Sequence, residues 1–152
     1  MENTENSLAI PKTALALGYG GLIPFVTLSV ATWLLTSNWL VQAHEALLLY
    51  ASIILTFMGA IHWGVAMSKS PFPSKLQLSF SVIPALIAWF AFFTTQSINY
   101  AILYISFASL CLIDSMASRR GDLPDWYPKL RVPLTTVVVI SLISAHLAAT
   151  FR

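Results

Sequence analysis

Glu45-Ala-Leu-Leu-Leu-Tyr-Ala-Ser-Ile-Ile-Leu-Thr-Phe-Met-Gly-Ala-Ile-His-Trp-Gly-Val-Ala-Met67 is a run of 23 residues whose single formal charge is its first residue. A helix needs about 20 mainly apolar residues to cross the hydrocarbon core of a bilayer. The run meets that length and carries small residues at Ser52, Gly59 and Ala66, seven apart on one helical face. It reads as a membrane span with a face made for close packing. Working outward, four more segments read the same way: Ala14–Leu35, Gln77–Thr95, Asn99–Met116 and Leu134–Thr150. The expected fold is an all-α bundle of five transmembrane helices, with residues 1–152 forming a single membrane domain.

Composition agrees. Of 152 residues, 57% are hydrophobic and 9% charged, against about 25% charged in a soluble domain. The mean hydropathy is +0.76. A chain this small cannot hide so much apolar surface within itself, because small domains leave much of their surface exposed. The excess must face lipid, so the bilayer is the first partner. A soluble enzyme domain and a disordered chain are excluded. A net charge of +2, scattered along the chain, also excludes a nucleic-acid binder. The one cysteine, Cys111, lies in an apolar run and reads as a packing residue. The polar, acidic start Met1-Glu-Asn-Thr-Glu-Asn-Ser7 lacks the basic region of a cleaved signal, so the first apolar segment is expected to be retained.

The charges support five spans independently. With that count, Lys12, Lys69, Lys75, Arg119, Arg120, Lys129 and Arg131 fall on one side and Arg152 alone on the other. Cations collect on the cytoplasmic side of membrane proteins. The N-terminus is therefore expected in the cytoplasm and the C-terminus outside. Trp39 and Tyr100 fall near the outer interface, and Trp63, Trp126 and Tyr127 near the inner one, as an aromatic belt would require.

Helices associate in lipid through close packing and hydrogen bonds. Ser141, Ala145 and Ala149 in the last span repeat the small-residue pattern. In the first span Gly18, Gly20 and Gly21 precede Pro24, and in the third Pro84 is internal. A proline within a helix removes a donor and frees the carbonyl four residues back, so Gly18–Pro24 is expected to be weakened and kinked. Pro133 is expected at the first turn of the last span, where a missing donor costs nothing.

Three polar or backbone-exposing sets share one depth. His62 and Asp114 each lie about 9 Å from the middle of their spans toward the cytoplasm, by helical rise. Gly18 and Tyr19 lie at nearly the same level. A charged residue within a membrane costs about 3 kcal/mol on insertion and often marks function. Two readings are open for Asp114: a hydrogen-bonded clamp between the second and fourth spans, and a proton relay or ligand group with His62, since imidazole carries protons in the neutral range. Pairing of Asp114 with Arg119 or Arg120, one turn away, is a further alternative. Asp125-Trp-Tyr-Pro-Lys-Leu-Arg131 mixes aromatics with cations, and its Lys129 and Arg131 are expected at lipid phosphates on the inner surface, with docking of a partner protein as the rival reading. On the outer side His44, Glu45 and His146 are a weak candidate metal set. His44-Glu45-Ala-Leu-Leu48 departs from the zinc-protease helix motif at Leu48, where a second histidine is required. No catalytic motif and no cofactor fingerprint appears.

Leu17-Gly-Tyr-Gly-Gly-Leu-Ile-Pro-Phe25, Phe57-Met-Gly-Ala-Ile-His-Trp-Gly64 and Tyr127-Pro-Lys-Leu-Arg-Val-Pro-Leu-Thr135 resemble a bacterial membrane family of unknown function. Its eukaryotic relatives are called transmembrane protein sixty-nine. The resemblance runs through most of the chain and implies a bacterial inner-membrane protein, with mitochondrial eukaryotic relatives and no established reaction. By match, Gly18, Gly21, Pro24, Gly59, His62, Trp63, Gly64 and Arg131 are the signature positions. Three functions follow as expectations. The first is a non-enzymatic protein that packs against or assembles membrane partners or copies of itself. The second is a small proton-coupled carrier using His62 and Asp114. The third is a binder of a lipid-soluble ligand such as a quinone or haem, held by His62 and Trp63.

Overall fold

The computed structural model describes residues 9–68 and 75–152. The acidic start and the expected connector over 69–74, with Lys69, lie outside the described residues. Among the described residues six helices follow one another: α1 Lys12–Gly20, α2 Leu22–Leu34, α3 Ser37–Ser68, α4 Lys75–Ala91, α5 Gln96–Arg119 and α6 Tyr127–Phe151. No strand occurs among the described residues. Four stretches are long and apolar enough to cross a membrane: Lys12–Leu34, Ser37–Ser68, Gln96–Arg119 and Tyr127–Phe151. The expected third span is shorter than the pattern suggested. The helix stops at Ala91, and Phe92, Phe93 and Thr94 close in tight turns onto the carbonyls of Trp89, Phe90 and Ala91. Its 17 residues reach only about 25 Å at helical rise.

The remaining differences lie at helix ends. α3 begins at Ser37, eight residues before Glu45, because nothing between Asn38 and His44 breaks a helix. Its 32 residues span about 48 Å, well beyond a hydrocarbon core of about 30 Å. Gln96, Ser97 and Ile98, between the expected third and fourth spans, are part of the first turn of α5. α5 stops where Gly121, at φ 77°, lets the amides of Gly121 and Asp122 turn back onto Ser118 and Ala117. That is the glycine-terminated reversal that satisfies the last carbonyls of a helix. α6 starts at Tyr127, seven residues before Leu134, so Pro128 takes the first turn and Pro133 lies inside the helix instead of at its start.

The expected weak point in the first span is real. α1 and α2 are separated at Gly21, upstream of Pro24. Tyr50 of α3 donates its hydroxyl to the Gly21 carbonyl at 3.0 Å. A backbone group loosened in lipid must find a partner within the protein, and Tyr50 supplies it. Tyr50 also meets Phe25 edge-on with ring centroids 5.0 Å apart. Phe25 then meets Phe107 of α5, which ties α2 into the core of Leu47, Ala51, Leu55, Leu103, Phe107 and Leu142.

Small residues set the close approaches. A Cβ on Gly59 would stand 2.8 Å from the Ser81 carbonyl oxygen and 2.9 Å from Pro84 Cγ, so α3 meets α4 at the proline. On α6, Ser141 and Ala145 are buried, and the Ser141 carbonyl accepts Ser29 Oγ of α2 at 2.9 Å. Trp33 Nε1 donates to Ser144 Oγ at 3.0 Å beside it. Large apolar side chains such as Phe57, Leu86, Trp89, Phe90 and Ile105 face outward, as a lipid-contacting bundle requires.

Gly59→Leu is expected to destabilise the bundle by about 1–3 kcal/mol in reversible unfolding from mixed micelles. Gly64→Leu, where nothing lies within 4 Å, is expected to stay within about 0.5 kcal/mol of the parent. Equal losses would mean that the α3–α4 contact does not limit stability.

Candidate functional site: a buried carboxylate shared by three helices

α3 presents one continuous buried face: His44, Leu47, Ala51, Leu55, Gly59, His62 and Ala66. These residues recur at three- and four-residue steps, the spacing of one helical face. Both histidines of α3 therefore point into the bundle. On α6, Tyr127 and Arg131 are four apart and share a face. α5 brings Asp114 between them.

Asp114 is fully buried. Its Oδ1 lies 2.8 Å from His62 Nε2. Its Oδ2 accepts Arg131 Nε at 2.9 Å and the Tyr127 hydroxyl at 3.3 Å. One carboxylate thus joins α3, α5 and α6. A buried charge is tolerated when paired and hydrogen-bonded, and here the negative charge meets a guanidinium and two further donors. Removing one partner of such a pair costs more than the pair itself contributes, because a lone charge is left behind. Among the described residues, Arg131 Nη2 is sealed without a partner, while Nε holds the carboxylate.

His62 and Asp114, which the sequence places at one depth without deciding whether they touch, are in contact, and Arg131 and Tyr127 are further partners of the carboxylate. Arg131 is not at the inner surface: it is 5% exposed and bound to Asp114. Arg119, Arg120 and Lys129 are exposed, and Asp114 pairs with neither Arg119 nor Arg120 among the described residues. Gly18 does not line the polar layer but packs on Leu130 and Leu134 of α6, where an added Cβ would stand 2.8 Å from a Leu134 methyl. Tyr19 and Trp63 face outward, and Gly20 has open space beside it. The signal for Arg131 was its spacing from Tyr127. Tyr127, expected as an interfacial aromatic, instead donates to Asp114.

The opposite end of the bundle carries a second polar set. His44 Nδ1 lies 2.8 Å from the Tyr100 hydroxyl. The Tyr100 ring stacks on His146 at 5.7 Å and 12°. Tyr100 is fully buried, so it is an inter-helix residue instead of the expected member of the outer belt. Among the described residues no three His, Cys, Asp or Glu side chains gather as a metal site. Arg152 Nη1 binds the Thr32 and Trp33 carbonyls and so caps the end of α2.

A family model described as a protein of unknown function (DUF3429) matches residues 10–147. The chain belongs to that family. It is 33% identical over 137 residues to transmembrane protein 69 of Xenopus tropicalis, covering 89% of this chain and 54% of that protein. To transmembrane protein 69 of Mus musculus it is 27% identical over 135 residues, 88% of this chain and 55% of that one. The chain thus spans about half the length of these relatives. No solved structure matches it. Family and helices together make this a multi-pass membrane protein.

Asp114→Asn is expected to cost about 3–5 kcal/mol in micellar unfolding, because Arg131 is left charged and alone. Asp114→Leu combined with Arg131→Met is expected to cost clearly less than the sum of the two single losses. Simple additivity would show that the pair is not energetically coupled.

Proposed function

We propose that this protein is a non-enzymatic structural or assembly component of the membrane, a rigid bundle against which partner membrane proteins or further copies pack. The observation that carries the reading is the state of Asp114: no exposed surface, and both oxygens occupied by groups from two other helices. A carrier needs its ionisable group to meet solvent on each side in turn. A carboxylate held by His62, Arg131 and Tyr127 is built to stay where it is. The glycine contact of α3 with α4 supports the same reading, since it seats the two helices directly against one another at Gly59 and Pro84. We further assign five crossings, with α4 as a short fifth helix finished by its aromatic turn, the N-terminus in the cytoplasm, and the bacterial inner membrane as the location. The cation distribution and the family resemblance support these assignments.

The scaffold reading predicts specific membrane-protein partners, or a discrete oligomer, after cross-linking in native membranes and extraction in mild detergent. A bare monomer across several detergents would sink it. The carrier reading predicts that His62→Ala or Asp114→Asn abolishes proton or solute flux in liposomes. Our expectation is that the parent protein carries no flux for these variants to abolish. For topology, cysteines placed at Arg119 and Lys129 are expected to label from the cytoplasm, and one at Ser37 from outside.

A further inference from the structure

A cleft of about 310 Å³ lies between α3, α4 and α5, walled by His62, Phe80, Pro84, Ser106, Ser109 and Leu110 among others. Several of its walls, Phe80, Ile83, Ile105 and Ile113, are also exposed on the outer surface of the bundle. It therefore opens sideways, toward lipid. Its volume sits at the small end of ligand pockets, which run from about 300 to 1,000 Å³. One substituted ring fits.

The cleft has three unspent polar groups. Asp114 takes His62 Nε2, and Nδ1 meets no partner among the described residues. Among the described residues, the polar atoms that are both sealed and unpartnered are Asn99 Oδ1, Arg131 Nη2 and Thr135 Oγ1. His62 Nδ1 is unpartnered without being sealed, although His62 itself is only 8% exposed. Ser106 and Ser109 likewise make no hydrogen bond among the described residues. By contrast Ser52, Thr56 and Ser115 each bond back to the carbonyl four residues earlier, the usual resting place of a hydroxyl on a helix in lipid.

We propose that this cleft binds a lipid-soluble phenol, a hydroquinone ring with an apolar tail, whose hydroxyl donates to His62 Nδ1. The guanidinium of Arg131 already balances Asp114. The tautomer with its proton on Nε2 satisfies the carboxylate contact and leaves Nδ1 an acceptor. The ligand must supply the donor, which selects a hydroxyl over a carbonyl. Ser106 and Ser109 can donate or accept and so serve the remaining ring oxygen. The tail leaves past Ile83 and Ile105 into the bilayer. A haem is disfavoured, because the exposed nitrogen of His62 belongs to a cleft of single-ring size. This inference does not depend on the scaffold reading: the bundle could hold partners with this cleft empty, or bind the ligand with no partner.

The test is titration of the protein in lipid nanodiscs, with histidine labelled by nitrogen-15, using 2-decylhydroquinone as the probe. The expected result is a saturable shift of the His62 Nδ1 resonance. The oxidised quinone and decylbenzene are expected to bind at least about tenfold more weakly, the scale of one lost hydrogen bond. Ser106→Ala with Ser109→Ala is expected to weaken binding by a similar factor. Ile105→Trp, a surface residue enlarged into the cleft mouth, is expected to abolish it while the unfolding midpoint is kept. Non-saturating uptake, equal affinity for decylbenzene, or unchanged affinity in Ile105→Trp or the double-serine variant would each overturn the site. Loss of partners in cross-linking, with the titration intact, would instead count only against the scaffold.

Discussion

A carboxylate inside a bilayer has to be neutralised where it sits. That requirement at Asp114 organises much of the bundle. Water cannot reach it, so its partners must come from the protein, and they come from two other helices. His62, on the buried face of α3, ties the rotation and height of that helix to Oδ1. Tyr127 and Arg131 do the same for α6, and they explain why α6 begins well before its apolar run. The helix has to include both residues on a single turn to present them together. A segment that hydropathy reads as a surface connector thus becomes helix because a charge in a neighbouring helix needs it.

The other contacts are made by shape. α3 meets α4 where Gly59 has no side chain and Pro84 has a ring. α2 meets α6 through Ser29 on a carbonyl and Trp33 on a hydroxyl. Such bonds contribute little individually in membranes, about 0.6 kcal/mol on average. They fix position more than they add stability. The division of labour follows from the solvent: lipid gives helices no hydrophobic reason to associate, so steric fit and polar pairing must do it.

This division also decides what could be read from the sequence. Apolar length and the family stretches are local properties, so the all-helical membrane bundle and the break near Gly21 were legible. The face of α3 bearing Gly59, His62 and Ala66 was legible as well, because periodicity on one helix is local. Which helix supplied the partner of Asp114 was not. The two nearest cations in sequence, Arg119 and Arg120, lie past the end of the buried stretch, and only proximity along the chain favours them. Arg131 is 17 residues away and looked interfacial because it sits in a charged, aromatic segment. The burial of Tyr100 was hidden for a like reason: a tyrosine at the start of an apolar run resembles a belt residue until a histidine from another helix is seen to meet it. The stopping point of α4 is a further case, since Phe92 and Phe93 are as apolar in a turn as in a helix.

The two polar sets share one plan. At each, a histidine of α3 meets a residue of α5, and a residue of α6 completes the group: His62, Asp114 and Arg131 at one level, His44, Tyr100 and His146 at the other. The two histidines are 18 positions apart on one helix, about 27 Å, close to the thickness of the hydrocarbon core. A pair of contacts that far apart fixes both the register and the tilt of α3, α5 and α6, where one contact would leave them free to pivot. α4 stands outside this frame and is placed against it by the Gly59–Pro84 approach. The cleft beside His62 lies along that seam. It sits where a helix fitted by shape meets helices pinned by polar contacts, and a bundle can leave space there without loosening the groups that hold it together.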